Sequence, residues 1–316
     1  MNILVTGGSG FIGSNFVRLA LSSGHQVSVL DDLSVGDRRY IQDLPLRFVL
    51  GNIMNESLVR DEVRRHDAVV HLAAQTGVPK SLINPRGDCQ LNVLGTLNLL
   101  EACRAAQDGG SGPRFIFASS NAPLGRQLPP ATEDKAPLPV SPYGASKLAG
   151  EAYCLAYNGS WGLGTVALRF GNVYGPYSAH KTSVIAKFFD DIATTGSIVI
   201  EGDGLQTRDF VYVEDLCRAL LAALESPVRG EVFQISAGTE TTIQALSKMI
   251  ERVVGQQFKS TRSEGRAGDV RRNYSLIAKA TSILGWKPQV ALEDGLRRTY
   301  EWHVNWKTQA VNSPIA

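Results

Sequence analysis

The 316-residue chain has few of the patterns that mark secreted, membrane or metal-binding proteins. Its four cysteines, Cys89, Cys103, Cys154 and Cys217, are widely spaced and form no CxxC pair, so we expect reduced thiols rather than a disulfide framework. The five histidines show no metal-ligand spacing, and we expect no metal site. No run of about 18 apolar residues offers a membrane span, and the first residues lack the basic region of a signal peptide.

Charge of either sign is not in excess, because 32 basic residues face 30 acidic ones. A chain with this balance has no basic field for nucleic acid or for an acidic membrane surface, and we expect neither as a partner. Hydrophobic residues make up 43% of the chain, which is enough to build a full core. The composition therefore indicates a globular, cytoplasmic enzyme or binding protein.

Short β-rich runs alternate with helical stretches through the first half of the chain, which predicts an α/β fold with a doubly wound parallel sheet. The predicted strands are 2–6, 26–30, 46–50, 68–72, 114–118 and 165–170, and the predicted helices are 11–23, 55–65, 91–106 and 141–158. After a loop-like stretch at 171–180 we predict helices at 183–194 and 214–224, strands at 198–200 and 232–235, and a mainly helical tail.

Glycines cluster directly after the first predicted strand, in Thr6-Gly7-Gly8-Ser9-Gly10-Phe11-Ile12-Gly13. This GxGxxG pattern permits a tight turn and lets a pyrophosphate approach the N-terminus of the following helix. The second strand is followed by Asp31, 18 residues after Gly13. An acid at that point accepts hydrogen bonds from the adenosine ribose and disfavours a 2′-phosphate, so the pattern predicts NAD rather than NADP.

Tyr143 and Lys147 are four residues apart at the start of a predicted helix, so they share one helix face. Such a pair can move a proton to or from an alcohol during hydride transfer. A phenol with an ordinary pKa near 10 is a poor base at neutral pH. Lowering its pKa to about 7 takes about 4 kcal/mol, which a nearby ammonium and an oxidised nicotinamide ring can supply.

These motifs, together with the His-Leu-Ala-Ala run at 71–74, resemble the extended short-chain dehydrogenase/reductases, and more narrowly their NAD-dependent nucleotide-sugar epimerase/dehydratase branch. The resemblance covers essentially the whole chain and includes later motifs at 168–176, 202–213 and 265–270. It implies a Rossmann-type NAD-binding domain, 1–170 with a returning segment near 208–237, and a smaller, mainly helical C-terminal lobe, 171–207 and 238–316, for the sugar nucleotide. It also implies a homodimer built on helices 91–106 and 141–158.

The resemblance implies three groups of site residues. The catalytic residues would be Ser120, Tyr143 and Lys147, with Ser120 bonded to the sugar hydroxyl and to the phenol. Besides Tyr143 and Lys147, the residues expected to hold NAD are Gly7, Gly10, Phe11, Ile12, Gly13, Asp31, Asp32, Asn52 (through adenine), Ile53, Leu72, Ala73, Ala74 and Asn92. The residues expected to hold the substrate are Ser120, Asn121, Tyr143, Asn172, Ser183, Val184, Arg208, Arg266 and Asp269, with both arginines on the diphosphate.

The two residues after Ser120 distinguish the reactions of this branch. The 4,6-dehydratases that the chain resembles carry Asp-Glu there, and the UDP-glucuronate decarboxylases carry a glutamate in the second place. This chain has Asn121-Ala122, and neither side chain can transfer a proton. We therefore expect NAD-dependent inversion at C4 of a UDP-hexose of the UDP-glucose/UDP-galactose type, through a transient 4-keto sugar.

Other substrates and reactions stay open at this point. UDP-glucuronate is an alternative, because four residues could supply donors to its carboxylate: Ser120, Asn121, Lys80 and Lys181. UDP-GlcNAc is another alternative if Asn273 leaves room for the acetamido group. An NAD-consuming nucleotide-sugar dehydrogenase or dehydratase is the alternative of another class.

Overall fold

The computed structural model describes residues 1–108, 112–264 and 271–312. In chain order its strands are β1 (Asn2–Thr6), β2 (Gln26–Asp31), β3 (Arg47–Leu50), β4 (Ala68–His71), β5 (Arg114–Ser120), β6 (Thr165–Phe170), β7 (Asn172–Tyr174), β8 (Ser197–Glu201), β9 (Thr207–Arg208), β10 (Phe210–Tyr212), β11 (Glu231–Ile235), β12 (Thr241–Thr242) and β13 (Lys259–Ser263). Its helices are α1 (Phe11–Ser22), α2 (Glu56–Val63), α3 (Val78–Ile83), α4 (Pro85–Cys89), α5 (Gly95–Ala105), α6 (Pro142–Trp161), α7 (Val184–Thr195), α8 (Val213–Glu225), α9 (Ile243–Val254), α10 (Ala278–Leu284) and α11 (Leu292–Asn312).

Seven parallel strands form the main sheet in the order β11-β6-β5-β4-β1-β2-β3. The chain first builds outward from β1 to β3, then returns to the other side of β1 with β4 and continues to β11. The order therefore reverses between β1 and β4, and in open sheets of this kind ligands bind at the carboxyl ends of the strands beside such a reversal.

Both faces of the sheet are buried under helices. Phe16 of α1 and Leu220 of α8 belong to the core on one face, while Val59 of α2, Leu99 of α5 and Cys154 of α6 belong to the core on the other. Strands that are covered on both sides read as continuous apolar runs, and β1, β4 and β6 are buried along almost their whole length. The predicted Rossmann-type doubly wound sheet is confirmed.

A third hydrophobic core lies among the later elements. Phe188 of α7, Ile198 of β8, Leu246 and Ile250 of α9, and Leu296 of α11 are buried in it. Trp286, which follows α10, instead packs into the core of the main sheet. The boundaries that we assign to the two lobes remain a prediction.

Three local predictions need correction. The stretch 171–180 is not all loop, because β7 pairs in parallel with β10 in a separate two-stranded sheet. The helix expected at 91–106 starts as a π-helical turn, Gln90–Leu94, before α5. The tail also contains β13, which pairs with β8. Periodicity along one segment cannot reveal a short strand whose partner lies far away in the chain.

The four cysteines are free, and Cys103, Cys154 and Cys217 are buried thiols whose pKa values burial raises. Among the described residues, no helix combines the length and the apolar character that a bilayer span requires. No group of three or more His, Cys, Asp or Glu side chains within those ranges is placed to hold a metal ion.

Candidate active site

The glycine-rich turn between β1 and α1 is tightly packed backbone. Gly7 has a φ of +71°, and a Cβ there would lie 2.7 Å from the amide nitrogen of Ala73. A Cβ on Gly13 would lie 2.2 Å from the carbonyl oxygen of Gly7. Gly10 is the N-cap of α1 and offers no side chain to the helix amides. The turn thus exposes the positive N-terminus of α1 to a close anionic group, as a dinucleotide pyrophosphate requires.

Two acids at the end of β2, Asp31 and Asp32, hold the loops beside the glycine-rich turn. Asp31 is buried, and its carboxylate accepts hydrogen bonds from the amides of Ser9 (2.9 Å) and Leu33 (2.9 Å). Burial raises the pKa of Asp31 despite these bonds. Asp32 accepts a hydrogen bond of 2.7 Å from the side-chain amide of Asn52.

Asn52 lines the crevice but is already engaged. Its side-chain carbonyl accepts the Met54 amide at 2.9 Å, and its nitrogen donates to Asp32. To pair with adenine as expected, the Asn52 side chain would have to give up hydrogen bonds that stabilise its own turn.

One crevice at the carboxyl edge of the sheet brings most predicted cofactor residues together. The predicted residues that line it are Gly7, Gly10, Phe11, Ile12, Gly13, Asp31, Asp32, Asn52, Ile53, Leu72, Ala73, Ala74, Tyr143 and Lys147. Phe170 and His180 also line it, and the sequence reasoning missed both. The rule that strand carboxyl ends meet at one edge could have found Phe170, but no local pattern marks His180.

Asn92 is the one predicted cofactor residue that does not line this crevice. It is buried, accepts the Gln75 amide (2.8 Å) and donates to the Gln75 carbonyl (3.0 Å), to Asp88 (3.1 Å) and to Ser146 (3.2 Å). The structure therefore places Asn92 behind the site, where it ties the loop after β4 to helix α6.

Tyr143 and Lys147 reach the crevice from the first turns of α6, which Ser141 caps by accepting the Gly144 amide at 3.1 Å. Lys147 is 4% exposed and donates to the Ala118 carbonyl at 2.8 Å. Burial lowers the pKa of Lys147 to about 8.

Burial also raises the pKa of Tyr143 to about 12, although a hydrogen bond to Ser120 lowers it in part. The expected lowering of this pKa requires an oxidised nicotinamide ring as well as the ammonium, so it stays a prediction for the NAD-bound protein. In the protein without cofactor, burial has the larger effect.

The two serines at the end of β5 have different partners. Ser119 donates to Glu151 at 2.5 Å, and Glu151 forms a buried, two-point ion pair with Arg169 at 2.9 and 2.8 Å. Ser120 is the serine that bonds to the Tyr143 phenol. This arrangement supports the choice of Ser120 for the catalytic role.

Three of the predicted substrate residues that the structure describes, Asn121, Asn172 and Arg208, are connected to Asp209. Asn172 donates from its main-chain amide to the Asp209 carbonyl (3.0 Å), and Arg208 precedes Asp209 and donates to the Thr207 carbonyl (2.7 Å). Asn121 donates to the Ser275 hydroxyl at 3.0 Å. Ser183 is the N-cap of α7 and Val184 its first residue, whereas Arg266 and Asp269 lie outside the described residues.

The fold and the site define a dinucleotide-dependent enzyme of the extended short-chain dehydrogenase/reductase class. The model for the NAD dependent epimerase/dehydratase family matches residues 3–236, and the chain belongs to that family. NAD is the cofactor, and the glycine turn, which a single Cβ would obstruct, fits its pyrophosphate.

Similar proteins span nearly the whole chain. A dTDP-glucose 4,6-dehydratase from Streptomyces niveus is 38% identical and is aligned over 96% of this chain and 93% of its own length. A UDP-glucose 4-epimerase from Mycolicibacterium smegmatis is 35% identical, with 96% and 99% aligned. The solved UDP-glucose 4-epimerase from Thermotoga maritima, crystallised with UDP-glucose, superposes with a TM-score of 0.90 at 36% identity, covering 97% of this chain and all of that one.

Replacing Gly13 with alanine should remove most of the NAD that copurifies with the protein. The new methyl group would lie 2.2 Å from the Gly7 carbonyl, so the turn must open. NAD released on denaturation of the purified, folded protein measures the effect. Gly159→Ala is the matched control, because no atom lies within 4 Å of a Cβ at this position in α6. Equal NAD content in the Gly13 variant and the wild type would show that the turn does not hold the cofactor.

Proposed function

We propose that the protein is an NAD-dependent 4-epimerase that interconverts UDP-glucose and UDP-galactose. The observation that carries this proposal is the pair Asn121-Ala122 after the serine that bonds to Tyr143. Asn121 has one buried side-chain oxygen with no hydrogen-bond partner in the described part of the chain, and its nitrogen is bonded to Ser275. Asn121 can bind a sugar hydroxyl, but it cannot act as the acid or base that a dehydratase needs.

Tyr143 is the proposed acid and base for the C4 hydroxyl. As phenolate it takes the hydroxyl proton when the C4–H bond breaks, and the Ser120 hydroxyl holds the same oxygen by a hydrogen bond. Bound NAD supplies the hydride acceptor and donor, and its oxidised ring supplies a positive charge that favours the phenolate. Tyr143 would return the proton to the C4 oxygen once the 4-keto sugar has been reduced on its opposite face, which would leave C4 inverted. No net oxidation results.

Lys147 supports this chemistry electrostatically. With a pKa of about 8 it is largely protonated at neutral pH, and its bond to the Ala118 carbonyl fixes its ammonium on the crevice wall. A fixed positive charge near Tyr143 favours the ionised phenol. Arg208, Asn172 and Arg266 are proposed to hold the diphosphate while the hexose turns, and Asp269 is proposed to contact the uridine ribose.

UDP-glucuronate is a second candidate substrate, favoured by Lys181. This lysine lines the crevice near the ring of Phe11, 5.8 Å from its centroid, and forms no ion pair with any acid among the described residues. Burial and the charge of Lys80 lower the pKa of Lys181, and a sugar carboxylate would relieve both effects.

A substrate panel without added NAD tests the proposed reaction. Proton NMR of purified protein with UDP-glucose should show UDP-galactose forming catalytically, because NAD is regenerated in each turnover. Parallel samples contain UDP-glucuronate, UDP-GlcNAc and dTDP-glucose. The Tyr143→Phe variant should reduce the rate of epimerisation at least a hundredfold, because general acid–base catalysis usually contributes a factor of about 10²–10⁴. Stoichiometric NADH, a 4-keto-6-deoxy sugar, or no 4-epimer from any nucleotide sugar would contradict the proposal.

We also propose a homodimer that pairs α5 and α6 of two copies. Leu94, at the start of this region, is 46% exposed, and Leu155 and Trp161 on α6 are 41% and 48% exposed. Large apolar side chains exposed on neighbouring helices favour burial against a second copy.

The Leu155→Glu variant should shift the protein from dimer towards monomer, because a charge would be buried in the proposed interface. Sedimentation velocity measures the change. Ile283→Glu is the control, since Ile283 is similarly exposed (46%) on α10, which packs near β11 and α8 instead. A monomeric wild type, or equal dissociation of both variants, would contradict the proposed dimer.

A further inference from the structure

Asp209, between β9 and β10, is a fully buried carboxylate that binds main-chain amides. It accepts hydrogen bonds from Ala237 at 2.8 Å, from Gly238 at 3.1 Å and from Ser275 at 3.1 Å, and a further one from Thr239. These donors belong to the loop after β11 and to the segment before α10. One side chain thus fixes two separate parts of the chain to the start of β10.

The same residue is connected to three predicted substrate residues. Its carbonyl accepts the main-chain amide of Asn172, it directly follows Arg208, and the Ser275 hydroxyl accepts the Asn121 side chain at 3.0 Å. Asn121 extends from β5, Asn172 begins β7 and Arg208 ends β9. The carboxylate therefore lies where the segments that carry these side chains converge.

We propose that Asp209 is a positioning residue, which sets the spacing of Arg208, Asn172 and Asn121 around a sugar-nucleotide diphosphate without touching the ligand. The proposal rests on the proposed function, because it assumes that these residues bind a nucleotide sugar. Beyond that function, it assigns to Asp209 an effect on the affinity for the sugar nucleotide, although Asp209 does not touch the ligand.

The chemistry of the donors requires a carboxylate at this position. Four amide N–H groups converge on two oxygens, and an ionised carboxylate offers only acceptors. An asparagine would place an NH₂ group against these donors and leave at least one buried N–H without a partner, which is costly. Asp209→Asn should therefore distort the segments rather than merely weaken one bond.

Protonation of Asp209 should also weaken binding of the sugar nucleotide, but less than the Asp209→Asn substitution does. Burial raises the pKa of Asp209 to about 6, against the main-chain hydrogen bonds that lower it. Since the folded protein holds this proton more tightly than the unfolded chain, acid does not reduce overall stability through this group. Protonation does convert one acceptor oxygen of the Asp209 carboxylate into an O–H donor. The affinity of the protein for the diphosphate should therefore fall as the pH drops through about 6, while the fold persists.

The other charged or titratable groups on the packed segments are few. Arg272 forms an ion pair with Glu240 and lowers its pKa, so this carboxyl ionises at a lower pH than Asp209. Among the described residues, the segments and strands packed around Asp209 also carry Arg208, Arg271, which pairs with Asp203, and the tyrosines Tyr174, Tyr212 and Tyr274. Among the described carboxyl groups of these segments, Asp209 is therefore the one whose pKa is raised towards neutral pH.

Asp215 provides a matched control for a purely structural effect. It is also fully buried, accepts the main-chain amides of Gln289 (2.8 Å) and Val290 (3.0 Å), and pairs with Arg218. It lies in the first turn of α8 and forms no hydrogen bond or ion pair with any predicted substrate residue that the structure describes. Loss of either carboxylate should lower the melting temperature, whereas only Asp209 should control the ligand site.

The experiment is calorimetric titration with UDP-glucose, and in parallel with dTDP-glucose, on NAD-loaded protein that carries Tyr143→Phe to stop turnover. Adding Asp209→Asn should weaken binding at least about tenfold at pH 7, the effect of losing one hydrogen bond to a charged group. It should also abolish the loss of affinity on acidification through about pH 6 that the parent shows. Adding Asp215→Asn should leave both the affinity and its pH dependence unchanged.

Three results would overturn the inference: unchanged affinity in the folded Asp209 variant, an equal loss in the Asp215 variant, or no binding of either nucleotide sugar by the parent. If the Asp209 variant does not fold, the pH profile of the parent decides, and constant affinity through about pH 6 overturns the inference. Binding that depends on Asp209 in a protein that forms no 4-epimer would refute the proposed reaction but not this inference.

Discussion

Burial away from water sets the pKa values of Tyr143 and Lys147, and with them the proton transfer that each side chain can perform. Burial raises the pKa of the phenol to about 12 and lowers that of the ammonium to about 8, so the protein without cofactor holds a weak acid beside a cation. Lowering the pKa of the phenol from about 12 to about 7 takes about 7 kcal/mol, rather than the 4 kcal/mol that an ordinary phenol would need. The base proposed at Tyr143 would therefore depend on the charge of bound NAD, which would couple proton transfer to a loaded cofactor.

The parallel sheet brings these groups to one place. Every strand of the main sheet points its carboxyl end to the same edge, so Gly7 after β1, Asp31 at the end of β2 and Ser120 at the end of β5 meet there although they are far apart in the chain. The reversal of strand order between β1 and β4 opens the crevice at that edge. Close packing of Gly13 against the Gly7 carbonyl keeps helix α1 near enough to contribute its N-terminal amides.

Sequence patterns predicted the strands of the main sheet, because apolar runs and glycine turns are local signals, and the family resemblance supplied most of the predicted crevice residues. They did not predict the functions of residues that depend on distant partners. Asn92 was expected in the cofactor site, yet a π-helical turn directs it towards Gln75 and Ser146. In the sequence, Asp209 is only one acid within a motif, because the amides of 237–239 and 275 contact it only in the folded protein. The high pKa of Tyr143 likewise depends on burial that no spacing reveals.

The central claim is that NAD converts Tyr143 from a neutral phenol into a base. The most direct measurement is an ultraviolet titration of tyrosinate in wild-type protein and in Tyr143→Phe, each with NAD bound and after NAD is removed. The account predicts that loaded wild type shows one extra tyrosine ionising well below the ordinary value of about 10, and that this difference disappears without NAD. A Tyr143 that titrates at the same pH with and without NAD would contradict it.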